Sequence, residues 1–242
     1  MQWQKSMLKT IPVLLLGLAA LSMADNSYDY LKLAIQWPPG ACSGGRCISP
    51  VPEQWTVHGL WPQRASGGWP EDCYRPGVCP LQGLQVLDDR IVPSLKSEME
   101  THWPSLFLDR KTNEKFWEHE YCNHGTCCDE VILIPEPDIY FSQTLQLHAD
   151  ITDILETADI TPRVSDGPYR FEEVEGALKV TTADFQCRKS KGGRQLLSAL
   201  RVCLDKTSFA LINCPDNGSK SSSCDKTKDF YLTPETTSKT EF

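Results

Sequence analysis

The sequence predicts a single α+β domain. Alternating apolar residues near the start and again in the last third mark strands, while apolar residues at helical spacing fill the middle. No internal repeat or linker divides the chain. Its 242 residues, 40% of them apolar and 23% charged, are enough for one buried core. That composition excludes disorder, collagen and coiled coil as descriptions of the whole.

Leu31, Leu33, Ile35 and Trp37 alternate with Lys32, Ala34 and Gln36, the pattern of a strand with one buried face. Pro38-Pro39-Gly40 ends it, and Cys42 and Cys47 bracket a short loop. A second strand, Trp55-Thr56-Val57-His58, is expected to stop at Gly59, before a Gly/Pro-rich loop from Pro62 to about Gly83. Leu84, Leu87, Ile91, Leu95 and Met99 predict helix over 84–103, with Pro93 a kink or restart. Further helices are expected over 116–128, over 139–155 as one or two pieces, and around Phe171, Val174 and Leu178. Strands over 196–204, 208–213 and 230–232 close the domain, and the polar tail 233–242 is expected to fray.

The first 24 residues read as a secretory leader. Lys5 and Lys9 precede the apolar run 11–21, which ends in Ser22-Met23-Ala24, small residues at the positions a signal peptidase needs. Eleven residues fall short of the roughly 20 that span a bilayer, so no membrane anchor is expected. Residues 25–232 then form the domain. Eleven cysteines agree with an oxidising compartment, outside the cell or in a lysosome-like lumen. The net charge of −8 becomes −10 without the leader, which argues against packaging DNA. Asn217-Gly218-Ser219 is a glycosylation acceptor motif in a loop.

Two stretches carry chemistry. In Phe116-Trp117-Glu118-His119-Glu120-Tyr121-Cys122-Asn123-His124, helical spacing puts His119 and Asn123 about 40° apart, and Glu120 and His124 likewise. A zinc site of the H-E-x-x-H kind is disfavoured, because Asn123 stands at the fifth position and His124 falls about 140° from His119. No metal or cofactor is expected. A bland solvated helix face is the second reading, and the clustering of two His and one Glu beside aromatics weighs against it. The third is acid–base catalysis, in which a carboxylate orients one imidazole while another binds an anion. A strand His flanked by Trp is, alone, more often a packed core residue. Beside the His-rich helix, His58 supplies the third imidazole that two-step phosphodiester cleavage can use.

The strings WTVHGLWP and FWEHEYCNHGTC, in this order and with IQWPP before them, resemble the two active-site segments of the ribonuclease T2 family of acid endoribonucleases. The resemblance spans roughly residues 31–232. It implies a central antiparallel sheet flanked by helices and stapled by disulfides. It also implies cleavage of single-stranded RNA with little base preference, through attack of the ribose 2′-hydroxyl to give a 2′,3′-cyclic phosphate. DNA, which lacks that nucleophile, should be inert. By position His124 would be the base, His58 the acid, His119 the phosphate ligand and Glu120 the orienting carboxylate. Gln36, Phe116 and Phe107 or Ser105 would meet bases, while Trp37, Trp55 and Trp117 are expected to pack rather than stack.

The family usually has Lys where this chain has Asn123, so transition-state stabilisation should be weaker here. The family pairing implies Cys42–Cys47, Cys73–Cys127, Cys187–Cys224 and Cys203–Cys214. Of the remaining three, Cys79 with Cys128 is preferred, leaving Cys122 beside the catalytic arc. A monomer is expected, with a disulfide dimer open to the odd cysteine. The competing function is a T2-fold protein of weakened activity that acts as a secreted toxin or signalling ligand.

Overall fold

The computed structural model describes residues 27–44, 46–71, 73, 79, 81, 91–108, 112–128, 136–161, 167–215 and 223–233. The leader, Asn217, the stretch 84–90 and residues 234–242 of the tail lie outside the described residues. Five strands form one antiparallel sheet: β1 (Tyr30–Gln36), β2 (Thr56–Gln63), β3 (Asp184–Lys189), β4 (Gln195–Asp205) and β5 (Leu211–Ile212). The order is β2-β1-β4-β3, with β5 also pairing β4. Around it lie α1 (Pro38–Ala41), α2 (Pro93–His102), α3 (Asn113–Asn123), α4 (Pro137–Thr157) and α5 (Phe171–Leu178), and a 3₁₀ turn, Gly125–Cys127, follows α3.

β1 departs from its expected pattern, because Tyr30 to Ile35 are buried on both faces. A strand flanked by β2 and β4 has no edge to solvent, and its Leu31, Leu33 and Ile35 face joins the main core with Tyr140, Phe141 and Leu147 of α4. β2 runs on through Gly59 to Gln63 instead of stopping. It ends the β2-β1-β4-β3 order, where the missing N–H of Pro62 costs the ladder nothing on the outer side. α2 starts at Pro93, a favoured first helical position, and α4 is one 21-residue helix. The strand expected over 208–213 shrinks to two residues, and 230–231 make only isolated bridges. β3 went unforeseen, its polar outer end (Arg188, Lys189) hiding the alternation.

The β1–β2 register shifts between Ala34 and Ile35: Ala34 pairs with Gly59 and Ile35 with Val57, so His58 is the extra residue of a bulge. Regular alternation from Thr56 would put His58 and Trp61 on opposite faces. The bulge brings Gly59 and Trp61 onto the face of Thr56, Gln36 and Ala34. That face carries the site.

Disulfides join Cys42–Cys47, Cys73–Cys127, Cys187–Cys224 and Cys203–Cys214. The preferred Cys79–Cys128 pairing is corrected: Cys79 joins Cys122 on α3, and Cys128 is a buried thiol whose Sγ lies 3.6 Å from the His124 carbonyl. The 3₁₀ turn carries Cys128 into the core, whereas Cys122 lies on the half-buried side of α3. Two bridges therefore tie the end of α3 to the segment after β2.

Candidate active site

His58 is held from three directions. Its bulged carbonyl accepts from Trp103 Nε1 at 2.9 Å, and the Trp103 carbonyl in turn accepts from Trp117 Nε1 at 2.7 Å. Both indoles are fully buried, so α3 and the end of α2 fix the strand backbone at the bulge. On the ring, Gln36 Nε2 lies 2.9 Å from Nδ1, and Glu120 Oε1 lies 3.7 Å from Nε2. A primary amide can present N–H or C=O, so Gln36 can serve a neutral or a charged His58. Gln36, expected to meet a base, thus spends its amide on the His58 ring while also lining the cavity.

Glu120 is only 2% exposed, in the third turn of α3. Trp61 Nε1 donates to its Oε2 at 2.8 Å, and Oε1 faces His58. A buried carboxylate is costly unless hydrogen-bonded or opposed by charge, and a protonated His58 is the natural opposing charge. Gly59 makes room for it: a Cβ there would lie 2.2 Å from Glu120 Oε2 and 2.4 Å from Trp61 Nε1. Trp61 was not singled out from the sequence as a site residue. Its ring centroid stands 5.1 Å from His58 and 5.7 Å from His124, with the Arg201 guanidinium 5.5 Å away. Arg201 is itself anchored by the buried Asp184 at 3.2 Å.

α3 begins at the Thr112 cap, whose hydroxyl accepts from the Lys115 N–H, and stops at Asn123. His124 therefore lies just beyond the helix, with φ −124° and ψ −48°, and the expected helix to Cys128 is replaced by the 3₁₀ turn. Gly125 serves close packing: a Cβ would lie 2.7 Å from the Tyr121 ring. The His119 and His124 ring centroids are 6.5 Å apart. Burial, then repulsion from His119, lowers the His124 pKa to about 4, with Glu71 opposing. Its Nδ1 is buried and has no partner among the described residues. His124 is therefore a neutral imidazole across the mildly acidic and neutral range.

Asn123 Nδ2 lies 3.1 Å from His119 Nδ1. An amide N–H donated there leaves the His119 proton on Nε2, so Asn123 acts on the neighbouring ring and does not line the cavity described next. That cavity, of about 310 Å³, is lined by Gln36, His58, Phe107, Phe116, His119 and Glu120, together with Ser105 and Leu106. Phe116 packs 5.7 Å from the His58 ring, and Phe107 is held by an isolated bridge to Cys47. Trp37, Trp55 and Trp117 are buried. No cluster of three metal-ligating side chains occurs among the described residues.

The ribonuclease T2 family model matches residues 28–214. Ribonuclease Oy of Magallana gigas is 33% identical over 220 residues, covering 86% of this chain and 98% of that protein. Ribonuclease T2-A of Mus musculus is 28% identical over 228 residues, 88% of this chain and 82% of its own. Human RNase T2 superposes with a TM-score of 0.63 at 26% identity, over 86% of this chain and 98% of that one. RNase NT in complex with 5′-AMP gives 0.62 at 27% identity, over 78% and 91%. The likeness carried by two short segments thus extends through most of the sequence and the fold, and the chain belongs to the ribonuclease T2 family of endoribonucleases.

Proposed function

We propose that this protein cleaves single-stranded RNA by transphosphorylation, with His124 as base and His58 as acid. The observation that carries the reading is the pairing of a neutral, buried imidazole with a second imidazole backed by a buried carboxylate, both within ring contact of Trp61. His124 removes the 2′-hydroxyl proton, and the 2′-oxygen bonds to the adjacent phosphorus. The bond from phosphorus to the 5′-oxygen breaks, and His58 protonates the departing oxygen. The products are a 2′,3′-cyclic phosphate and a free 5′-hydroxyl. If the cyclic ester is hydrolysed, the two rings exchange roles.

His119, with its proton on Nε2, donates to a non-bridging phosphate oxygen. Glu120 holds the charge of His58, and Trp61 and Gly59 hold Glu120. Gln36, Phe107 and Phe116 form the wall on which a base rests, and stacking on aromatic rings tolerates many sequences. A bound 5′-AMP in the related RNase NT supports a nucleotide in this cavity. Proton donor, proton acceptor and anion ligand are all side chains, so the scheme needs no metal. The leader and five disulfides support a secreted or lysosome-like location, with the chain acting as a monomer.

The test is incubation of an unstructured RNA oligonucleotide and its all-DNA counterpart, with and without chelator, and mass analysis of the ends. Cyclic phosphate ends from RNA alone, undiminished by chelator, are expected. Loss of cleavage with chelator, or 5′-phosphate products, would reject the scheme.

A further inference from the structure

A second cavity, of about 520 Å³, opens where α2 and α4 meet the start of β2. Val57 and Leu60 of that strand join the core with α4, so this cavity belongs to the helical side of the sheet and not to the face of Gly59 and Trp61. Its carboxylates come from two helices: Glu98 from α2, Asp153 and Glu156 from α4. His102 at the end of α2 also lines it, its ring 5.7 Å from that of His148, and no Lys or Arg does so among the described residues. Three carboxylates facing one concavity repel anions and one another.

The cavity also reaches a buried acceptor. His148, only 5% exposed, lies among its lining residues, and its Nε2 donates to the Trp55 carbonyl at 3.0 Å. That bond fixes the proton on Nε2 and leaves a lone pair on Nδ1, which no described residue partners. Burial lowers the pKa of this ring to about 4, so it stays a neutral acceptor. Leu145 and the Trp55 ring supply apolar wall, while the Trp55 Nε1–H is buried with no partner among the described residues. A single metal ion fits this lining poorly: the volume is many times that of an ion, and no three ligating side chains converge among the described residues. The required ligand is elongated, apolar along its length, and carries several N–H donors with positive charge.

We propose that this cavity binds a small aliphatic polyamine. Its methylenes lie against Trp55 and Leu145, one ammonium donates to His148 Nδ1, and the others meet Glu98, Asp153 and Glu156. A diamine or triamine distributes its charges over carboxylates from two helices, which a single ammonium cannot do.

The experiment is calorimetric titration of the intact protein with spermidine at neutral pH and low salt. Saturable one-to-one binding is expected, with n-butylamine weaker by about tenfold or more. The triple variant Glu98→Gln, Asp153→Asn, Glu156→Gln, all exposed positions, should weaken spermidine by about tenfold or more. A control with the same charge change elsewhere, Glu53→Gln, Asp138→Asn, Glu172→Gln, should bind as the parent does. Equal weakening in both triples would overturn the proposal in favour of diffuse attraction to an acidic protein. So would absence of spermidine binding, or tight binding of a basic peptide alone, which would make the cavity a protein-docking site.

Discussion

His124 at the end of α3 and His148 within α4 both have a pKa lowered to about 4, and in both burial is the main cause. Their surroundings differ. His148 donates its Nε2–H to a backbone carbonyl and shares its cavity with three carboxylates and His102. His124 has no partner on Nδ1 among the described residues and stands within ring contact of Trp61 and His119. A depressed pKa therefore does not by itself mark catalysis. A second imidazole stands beside His148 as well, His102 at 5.7 Å, so what separates the two rings is the buried carboxylate behind His58, the imidazole that shares contact with Trp61.

Substitution is the most forceful way to break this comparison. His124→Ala and His58→Ala should each lower the rate of RNA cleavage by about two to four orders of magnitude, measured as kcat/KM on a short RNA. The same change at His148 should appear in stability, costing about 2 kcal/mol as the Trp55 carbonyl loses its buried donor and the helix its packing. Denaturant unfolding measures the second effect. If His124→Ala cleaves at the parent rate, the neutral ring at the end of α3 is not the base.

Gly59→Ala sharpens the same contrast from the carboxylate side. The new Cβ must displace Glu120 or Trp61, because neither has room at 2.2 and 2.4 Å. A shift of about 1 Å at a reacting group can cost about a hundredfold in rate, and that is the loss expected here. A crystal structure of the variant should show Glu120 withdrawn from His58. A withdrawn Glu120 with full activity would reject its role in holding the His58 charge.

Acid tests the property that the two rings share. The folded pKa of each is below the unfolded value of 6.5, so between pH 6.5 and about 4 the unfolded chain binds more protons. Their contribution to stability is complete above pH 6.5 and is lost as pH falls towards 4. A shift of this size corresponds to at most about 3 kcal/mol per ring. Unfolding free energies at pH 7, 5.5 and 4 should decline accordingly, and His148→Phe should flatten part of the decline. On the catalytic side, a base that is neutral above pH 4 predicts that kcat/KM drops as pH falls through about 4.

How much of this was legible in the sequence depends on the kind of order involved. The α+β class, the site strand and the site helix were readable because apolar spacing and two His-containing segments are local in the chain. The grouping of His58, His119 and Glu120 around one cavity followed from the family resemblance. The role of Trp61 was hidden, since plain alternation puts it opposite His58 and only the bulge brings the two together. The Trp117–Trp103–His58 support joins three distant segments by hydrogen bonds that no spacing announces. Cys79 and Cys122 were missed for a similar reason: the helix ends at Asn123, and the turn that follows sends Cys128 inward.

The smallest expected effect belongs to Asn123. The Lys that the family resemblance implies at this position would place a cation beside the phosphorane, where negative charge is greater in the transition state than in the ground state. Here the amide lies against His119 Nδ1, and a donated N–H keeps the proton of that ring on Nε2, the nitrogen assigned to the phosphate in the proposed scheme. Two variants separate the roles. Asn123→Leu removes the donor without adding charge and should lower kcat by about threefold, the equivalent of a neutral hydrogen bond of modest strength. Asn123→Lys keeps a donor and adds charge, and should raise kcat by up to about tenfold if about 1.4 kcal/mol of transition-state stabilisation is recovered. KM should move less than kcat, since the added interaction grows with charge on phosphorus. A Lys variant that folds normally and turns over no faster would mean that orienting His119 is the whole contribution of this position. The positive charge at the phosphate would then come from another group.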